Sequence, residues 1–515
     1  MESVPTRTLS LVLFAAVGLV ACSNGGGGSV MDAGTDAGTD AGTDAGTLPT
    51  INSFTATPSN LATGGGPVTL AWDVTDATGL SIDQNVGPVT PVTVGNTTVL
   101  VGVTTTFTLT ASNAIGNSTM TAEVTVAAVP PIQTINGTVV DNNGLPVPGE
   151  TVLIAAASFS QTVVSDGNGA FSVPDVPTPY DATVIETTQA IQYKGLTRPD
   201  PSLTAFIFLS ENPSGTLSGH FVGGTFPETS AYKTDFIFAS PQTVKNLGDQ
   251  PSGTYSSTVE WPGPTTTTGT LYALQIHNLS GLPVAYPGYG TLSSVTLQVG
   301  DTTAGQNVSL SPVTTGTVSG IVTFPTNYSL LFKSVALAVT SDLTLPLLSD
   351  SSADAGFIYV TPVISNTTLV LAAAATSVAG EYSASLKTGQ PANGSGLEIN
   401  IPAAPLLIRP ANSATGVTTQ TSFSWTPYSG GVYEFRASSG SGPAFYVLTA
   451  GTTATLPDLS SAGLPLPGST EYSWSIVGLA PVLSVDLLAA PGGINNLVLN
   501  LSESVSASQT FTTAP

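Results

Sequence analysis

Positive charge and cysteine are what this chain has least of. Its 515 residues hold nine Lys and Arg against 32 Asp and Glu, a formal net charge of −23, and only 8% of positions are charged at all. Nucleic-acid binders neutralise phosphate with basic patches, so that class is excluded. Cys22 is the single cysteine, and a disulfide-stapled fold needs paired thiols. The two histidines, His220 and His277, fall outside any H-E-x-x-H pattern, so they carry no zinc signal. No G-x-S-x-G elbow stands between a strand and a helix. Paired carboxylates for glycoside hydrolysis need a cleft furnished with Arg, His and aromatic side chains, and these are scarce. The reading is therefore no enzyme and no cofactor. Long apolar runs are missing beyond the N-terminus, which excludes a polytopic helical membrane protein.

What is present begins with an address. Arg7 precedes an apolar run from Leu9 to Val20, broken only by Ser10. Twelve residues are too few to span a bilayer as a helix, so a signal peptide over 1–21 is the reading. It ends Leu19-Val20-Ala21-Cys22. These four residues resemble the lipobox of bacterial lipoproteins. The resemblance implies a diacylglycerol on the Cys22 thiol, cleavage before it, and an acyl chain on the new amine. Acyl chains anchor through about 0.8 kcal/mol per buried methylene. Ser23, rather than Asp, follows the cysteine, and by resemblance to the Gram-negative sorting rule this implies the outer membrane. The expected membrane contact is thus through lipid, with the periplasmic or surface side left open. Residues 22–193 carry no Lys or Arg. Such a surface repels anionic lipid and keeps the chain soluble.

Residues 22–47 read as a tether. Gly25–Gly28 are followed by Asp-Ala-Gly-Thr repeats at Asp32, Asp36, Asp40 and Asp44. No large apolar residue recurs, and the spaced carboxylates repel one another, which favours an extended chain. A calcium loop needs denser oxygen ligands around a sharp turn.

From residue 48 the period is two. Thr, Val, Ser and Ala dominate, with turn residues every 8–12 positions, and this predicts an all-β chain of tandem β-sandwich domains. In 48–128, Val68, Leu70, Trp72 and Val74 share one face, and Phe107 and Leu109 share another. With the Asn113–Asn117 turn, the segment resembles bacterial immunoglobulin-like domains, with Trp72 in the core. In 132–211, Gly144-Leu-Pro-Val-Pro-Gly149 marks a turn, and Asp166-Gly-Asn-Gly169 before Phe171 marks a hairpin. This segment resembles the carboxypeptidase regulatory-like (transthyretin-like) sandwich, an accessory domain with no catalytic residues to carry over.

Segments 212–312 and 313–403 read as diverged copies of that unit. Gly215-Thr-Leu-Ser-Gly219 and Gly316-Thr-Val-Ser-Gly320 open them, 101 positions apart, and strands around 205–209, 306–310 and 397–401 close the three. Residues 404–515 hold Phe423-Ser-Trp425-Thr-Pro427, Tyr433-Glu-Phe435 and Tyr472-Ser-Trp474-Ser-Ile476, and resemble fibronectin type III modules, although 478–505 is longer than the usual hairpin. One short helix is expected at Ser240–Lys245, with Ser as N-cap and Pro in the first turn.

The functional expectation is a lipid-anchored envelope protein, a structural spacer or protein-interaction array. The alternative is a glycan-binding or adhesion module. Its candidate residues are Trp261, in Glu-Trp-Pro-Gly-Pro, and Tyr286 and Tyr289, in Ala-Tyr-Pro-Gly-Tyr-Gly. Aromatics beside Pro/Gly loops offer flat faces to sugar rings. Either role implies envelope proteins or glycans as partners.

Overall fold

The computed structural model describes residues 47–515 apart from 129–130, 143, 207–211, 228–230, 251, 341–342, 429 and 493–500. Leu19, Val20, Ala21 and Cys22, and the tether before Thr47, lie outside the described residues. The chain is all-β and is built of successive β-sandwiches. Among the described residues helix is confined to one α turn, Val485–Leu488, and one 3-10 turn, Ser460–Ala462.

The first sandwich follows its alternation. In strand Gly66–Thr75 the side chains of Val68, Leu70, Trp72 and Val74 are buried against Phe107 and Leu109 of Thr105–Ser112. The Trp72 indole donates to the Pro91 carbonyl at 3.0 Å, so its one polar atom is satisfied. The turn after Ser112 is held by Asn113, whose Oδ1 accepts the amides of Ile115 and Gly116.

The next three units share one strand plan. In the first, Ile132–Val140 pairs antiparallel with Ala170–Pro177 and parallel with Ser202–Thr204. The facing sheet runs Phe159–Val164, Thr151–Ala156, Tyr180–Ile185, Gln189–Leu196. In the second, Ser214–Val222 takes the opening place, with Thr254–Glu260 antiparallel and Thr302–Thr303 and Val308–Ser309 parallel. In the third, Ser311–Thr323 opens, with Gly356–Val363 antiparallel and Leu397–Asn400 parallel.

Each opening strand carries a glycine opposite an aromatic: Gly137 faces Phe171, Gly219 faces Tyr255, and Gly320 faces Phe357. A Cβ on Gly137 would stand 2.2 Å from the Phe171 ring, and one on Gly320 2.7 Å from the Phe357 ring. The glycine makes room for the ring, which then covers its backbone.

The hairpin at Asp166 is local chemistry. Its Oδ1 accepts the amides of Asn168 and Ala170 at 2.8 and 2.9 Å, and Gly169 takes a φ of +70°. The helical turn expected at Ser240–Lys245 does not form, and residues 240–243 are the loop of a hairpin instead. Ser240 Oγ accepts the Thr243 amide at 3.2 Å, but Val244 already begins a strand. Pairing with Tyr232–Ala239 outcompetes a helix too short to nucleate.

Strand pairing also crosses from unit to unit. Ser311 and Val313, at the start of the third repeat, pair with Tyr289 and Tyr286 of the second. Gln189–Leu196 of the first repeat lies parallel to Ala444–Thr449 of the C-terminal unit. The four-residue strand Ser502–Val505 sits between Glu471–Ala480 of its own unit and Tyr382–Gln390 of the third repeat. The outcome is a sheet of 14 strands among the described residues, running through three units. A row of beads joined only end to end is therefore not the observed arrangement. Edge strands present unpaired amides and carbonyls, and here neighbouring units satisfy them.

Candidate functional site

The aromatic residues singled out as a ligand platform are structural. Trp261 is fully buried among Leu217, Phe236, Tyr255 and Leu297. Its Nε1 donates to the Pro264 carbonyl at 2.7 Å, which folds the Pro/Gly loop over it. Tyr286 and Tyr289 stand in the long strand Leu282–Gln298 rather than in a loop. Tyr286 is 1% exposed and its hydroxyl donates to the Val360 carbonyl of the next repeat at 2.9 Å. Tyr289 is half-buried against the same core, and burial, with Tyr272 beside it, pushes its hydroxyl up to about 12. Neither Trp261 nor Tyr286 is free to stack on a sugar, and Tyr289 keeps only part of its surface exposed.

The histidines also do strand work. His277 stacks on Tyr232 with ring centroids 4.3 Å apart, and His220 lies in the opening strand of the second repeat. Among the described residues no cluster of three or more His, Cys, Asp or Glu could hold a metal ion.

Two groups of buried charge lie at joints between units instead. The first joint is made by the long stretch before the last strands. Val482, Val485, Leu487, Leu488 and Leu501 enter the core of the first repeat beside Val184 and Leu196. Asp486, in the Val485–Leu488 turn, accepts the Thr197 amide at 2.7 Å, the Thr197 hydroxyl at 2.6 Å and the Arg198 amide at 3.0 Å. Arg198 answers with Nη1 on the Asp486 carbonyl at 2.8 Å and Nη2 on Asp200 at 2.9 Å. Gly64 of the first sandwich packs here too, with φ +93° and a notional Cβ 2.9 Å from Arg198 Cβ and 3.2 Å from Asp486 Cβ. Three units thus meet at one buried carboxylate.

The second joint is strand Ser502–Val505. One face is a serine ladder: Ser383 Oγ meets Ser504 Oγ at 2.5 Å, and Ser385 Oγ meets Ser502 Oγ at 2.8 Å. Ser504 also donates to the Tyr428 hydroxyl at 3.1 Å. The other face carries Glu503, buried near Arg436 and Glu434. Arg436 grips Glu434 through one edge of its guanidinium, Nε to Oε1 at 2.9 Å and Nη2 to Oε2 at 3.0 Å. Burial first, then repulsion from Glu434, push the Glu503 carboxyl up to about 7 against the pull of Arg436.

A third charged group lies inside the third repeat. Lys333 is 1% exposed and its Nζ reaches Asp350 Oδ2 at 3.2 Å, Ser352 Oγ at 2.9 Å and the Asp354 carbonyl. The Tyr359 hydroxyl donates to the same Asp350 oxygen.

An open surface remains on the outer face of the third repeat. Ser319, Gly320, Ile321, Gly356, Ile358 and Leu397 border a shallow groove of about 630 Å³. Ile321 is 49% and Ile358 73% exposed, so this is an apolar patch on an otherwise hydroxyl-rich surface. Sequence reasoning missed it, because period-two alternation counts an isoleucine as core without telling which face it takes.

No protein-family model matches the chain, and no curated protein matches it. Solved structures do. The Bacillus anthracis TIE protein aligns at 10% identity over 71% of this chain and 76% of its own, with a TM-score of 0.14. A Streptococcal ancillary pilin aligns at 10% identity over 52% of this chain and 99% of its own, TM-score 0.13. A Ca2+-stabilised adhesin of an Antarctic bacterium aligns at 13% identity over 67% and 99%, TM-score 0.13. Scores this low carry no argument about function.

Proposed function

We propose that this chain is a non-catalytic, lipid-anchored protein of the cell envelope, a rigid support that holds an interaction surface away from the membrane. The observation that carries the reading is where the buried charges are spent. Asp486 and Arg198 join one unit to another, Glu503 lies on the strand shared by the C-terminal unit and the third repeat, Glu434 and Arg436 pair within the C-terminal unit, and Lys333 and Asp350 brace a sheet. Catalysis would need such groups aimed into a cleft with access for a substrate. The N-terminal Leu19-Val20-Ala21-Cys22, followed by Ser23 and a Gly/Asp tether, supports anchoring through a Cys22 thioether in the outer membrane.

The test is labelling with a fatty-acid analogue, in wild type and Cys22→Ser, combined with protease shaving of intact cells. Label on the wild type and none on the variant is expected. A mature chain released to the medium with a free Cys22 thiol would overturn the anchor. Shaving decides which side of the membrane the folded body faces.

The glycan or adhesion reading rests on the Ile321–Ile358 patch and no longer on Trp261, Tyr286 and Tyr289. Ile358→Asp, on an exposed position, tests it. Unchanged pull-down of envelope proteins and unchanged retention on a polysaccharide array would remove that patch as the binding face.

A further inference from the structure

We propose that strand Ser502–Val505 is a proton-sensitive weld: it locks the C-terminal unit to the third repeat while Glu503 is protonated, and loosens when Glu503 ionises. The geometry comes first. This strand is four residues long, yet it hydrogen-bonds to two units at once, with Glu503 opposite Leu479 on one side and Ala384 on the other. Among the described residues no other strand pairing crosses that seam, so a penalty on one residue acts on the whole joint.

Glu503 is 6% exposed. The groups around it are few. Strand Val432–Ser438 contributes Arg436 and Glu434. Strand Tyr382–Gln390 contributes Tyr382, whose hydroxyl is pushed up to about 12 by burial and then by Glu503. Tyr428, from the loop before Val432, feels the same carboxylate and is held protonated by burial. Farther along the sheet, Tyr446 and Tyr193 face the Glu434–Arg436 pair, and Glu186 lies beyond Tyr446. Arg436 is the one cation in this set, and the Nε–Nη2 edge of its guanidinium is already committed to Glu434. One guanidinium therefore serves two buried carboxylates, and the second can be neutral only by holding a proton.

The sign follows. A carboxyl raised in the folded state binds its proton more tightly there than in the open joint, where its ordinary value is 4.5. Closure is unpenalised below the open-state value, and is progressively disfavoured as pH rises through about 7. Above that the penalty is constant.

Hydrogen exchange on the full mature chain tests this from pH 5 to pH 8.5, with protection factors corrected for intrinsic rates. Protection of the amides of Leu386 and Val505 should fall on the order of 100-fold across that range, while Leu109 in the first sandwich stays flat. Glu503→Gln should remove the dependence and keep the acid-side protection at pH 8.5. The wild-type profile decides alone if the variant does not fold. Flat protection at the seam, or the same slope in Glu503→Gln as in wild type, would overturn the proposal.

Discussion

The Asp486 carboxylate takes both the amide and the hydroxyl of Thr197, a residue 289 positions earlier in the chain. This contact closes the molecule on itself, because Thr197 follows strand Gln189–Leu196 of the first repeat and Asp486 sits in the excursion of the C-terminal unit. Asp486→Ala leaves two amides and a hydroxyl without their partner, while Arg198 Nη1 keeps the backbone carbonyl of residue 486. Removing one member of a buried charged network costs about 3 kcal/mol. The unfolding midpoint in urea should drop accordingly. A double-mutant cycle with Thr197→Val should show coupling of about 1 kcal/mol or more. A cycle that sums to zero would make the contact incidental.

Gly64 tests the same joint from the first sandwich. Its φ of +93° belongs to the region that favours glycine, and an added methyl group would press on Arg198 and Asp486. Gly64→Ala should shift residues 48–128 away from the body and lower stability by about 1–3 kcal/mol. Small-angle scattering is the measurement: an increase in maximum dimension with intact β circular dichroism is expected. An unchanged envelope would show that the sandwich is not held there.

Trp261 separates a binding role from a packing role. Fully buried, with its indole donor on Pro264, it fills the centre of the second repeat. Trp261→Ala should cost about 3–5 kcal/mol through cavity formation. Trp261→Phe should cost less, because the ring still fills part of the space. A surface platform would behave otherwise, with Trp261→Ala near neutral in thermal denaturation.

How far the sequence could be read depends on the range of the interaction. Val68, Leu70, Trp72 and Val74 alternate within one strand, and Asp166 and Gly169 build their hairpin from neighbours, so both were legible. The repeats were visible through Gly215–Gly219 and Gly316–Gly320. A sharper signal went unread: a glycine in each opening strand matched by an aromatic some 34–37 positions later, at Gly137 and Phe171, Gly219 and Tyr255, Gly320 and Phe357. The seams were not legible. Ser502–Val505 is too short for periodicity, and its serines and glutamate look like surface. The Val485–Leu488 turn has four residues and no helical repeat to detect. Trp261 beside Pro and Gly reads as exposed until the carbonyl that receives its indole is located in space.

Lys333 and Asp350 face each other across strands Tyr328–Ala338 and Thr344–Asp350, and their burial makes the two partners unequal. Asp350 sits below its ordinary value of 3.8: burial alone would raise it, but the Tyr359 hydroxyl, the Ser352 amide and hydroxyl, and Lys333 outweigh that. A depressed carboxyl contributes stability that is present above the unfolded value and lost as pH falls through the folded one. Asp350→Asn removes this contribution and leaves a buried ammonium with only neutral acceptors, at about 3–5 kcal/mol. It should also flatten the acid limb of the stability profile. Lys333→Met takes away the ammonium while Asp350 keeps Tyr359 and Ser352, and similar volume in the core makes the loss smaller, on the order of 1 kcal/mol. Thermal denaturation of both variants between pH 2.5 and pH 7 measures the difference. An equal loss in the two would mean that the pair acts through its attraction rather than through the burial of one unpaired charge.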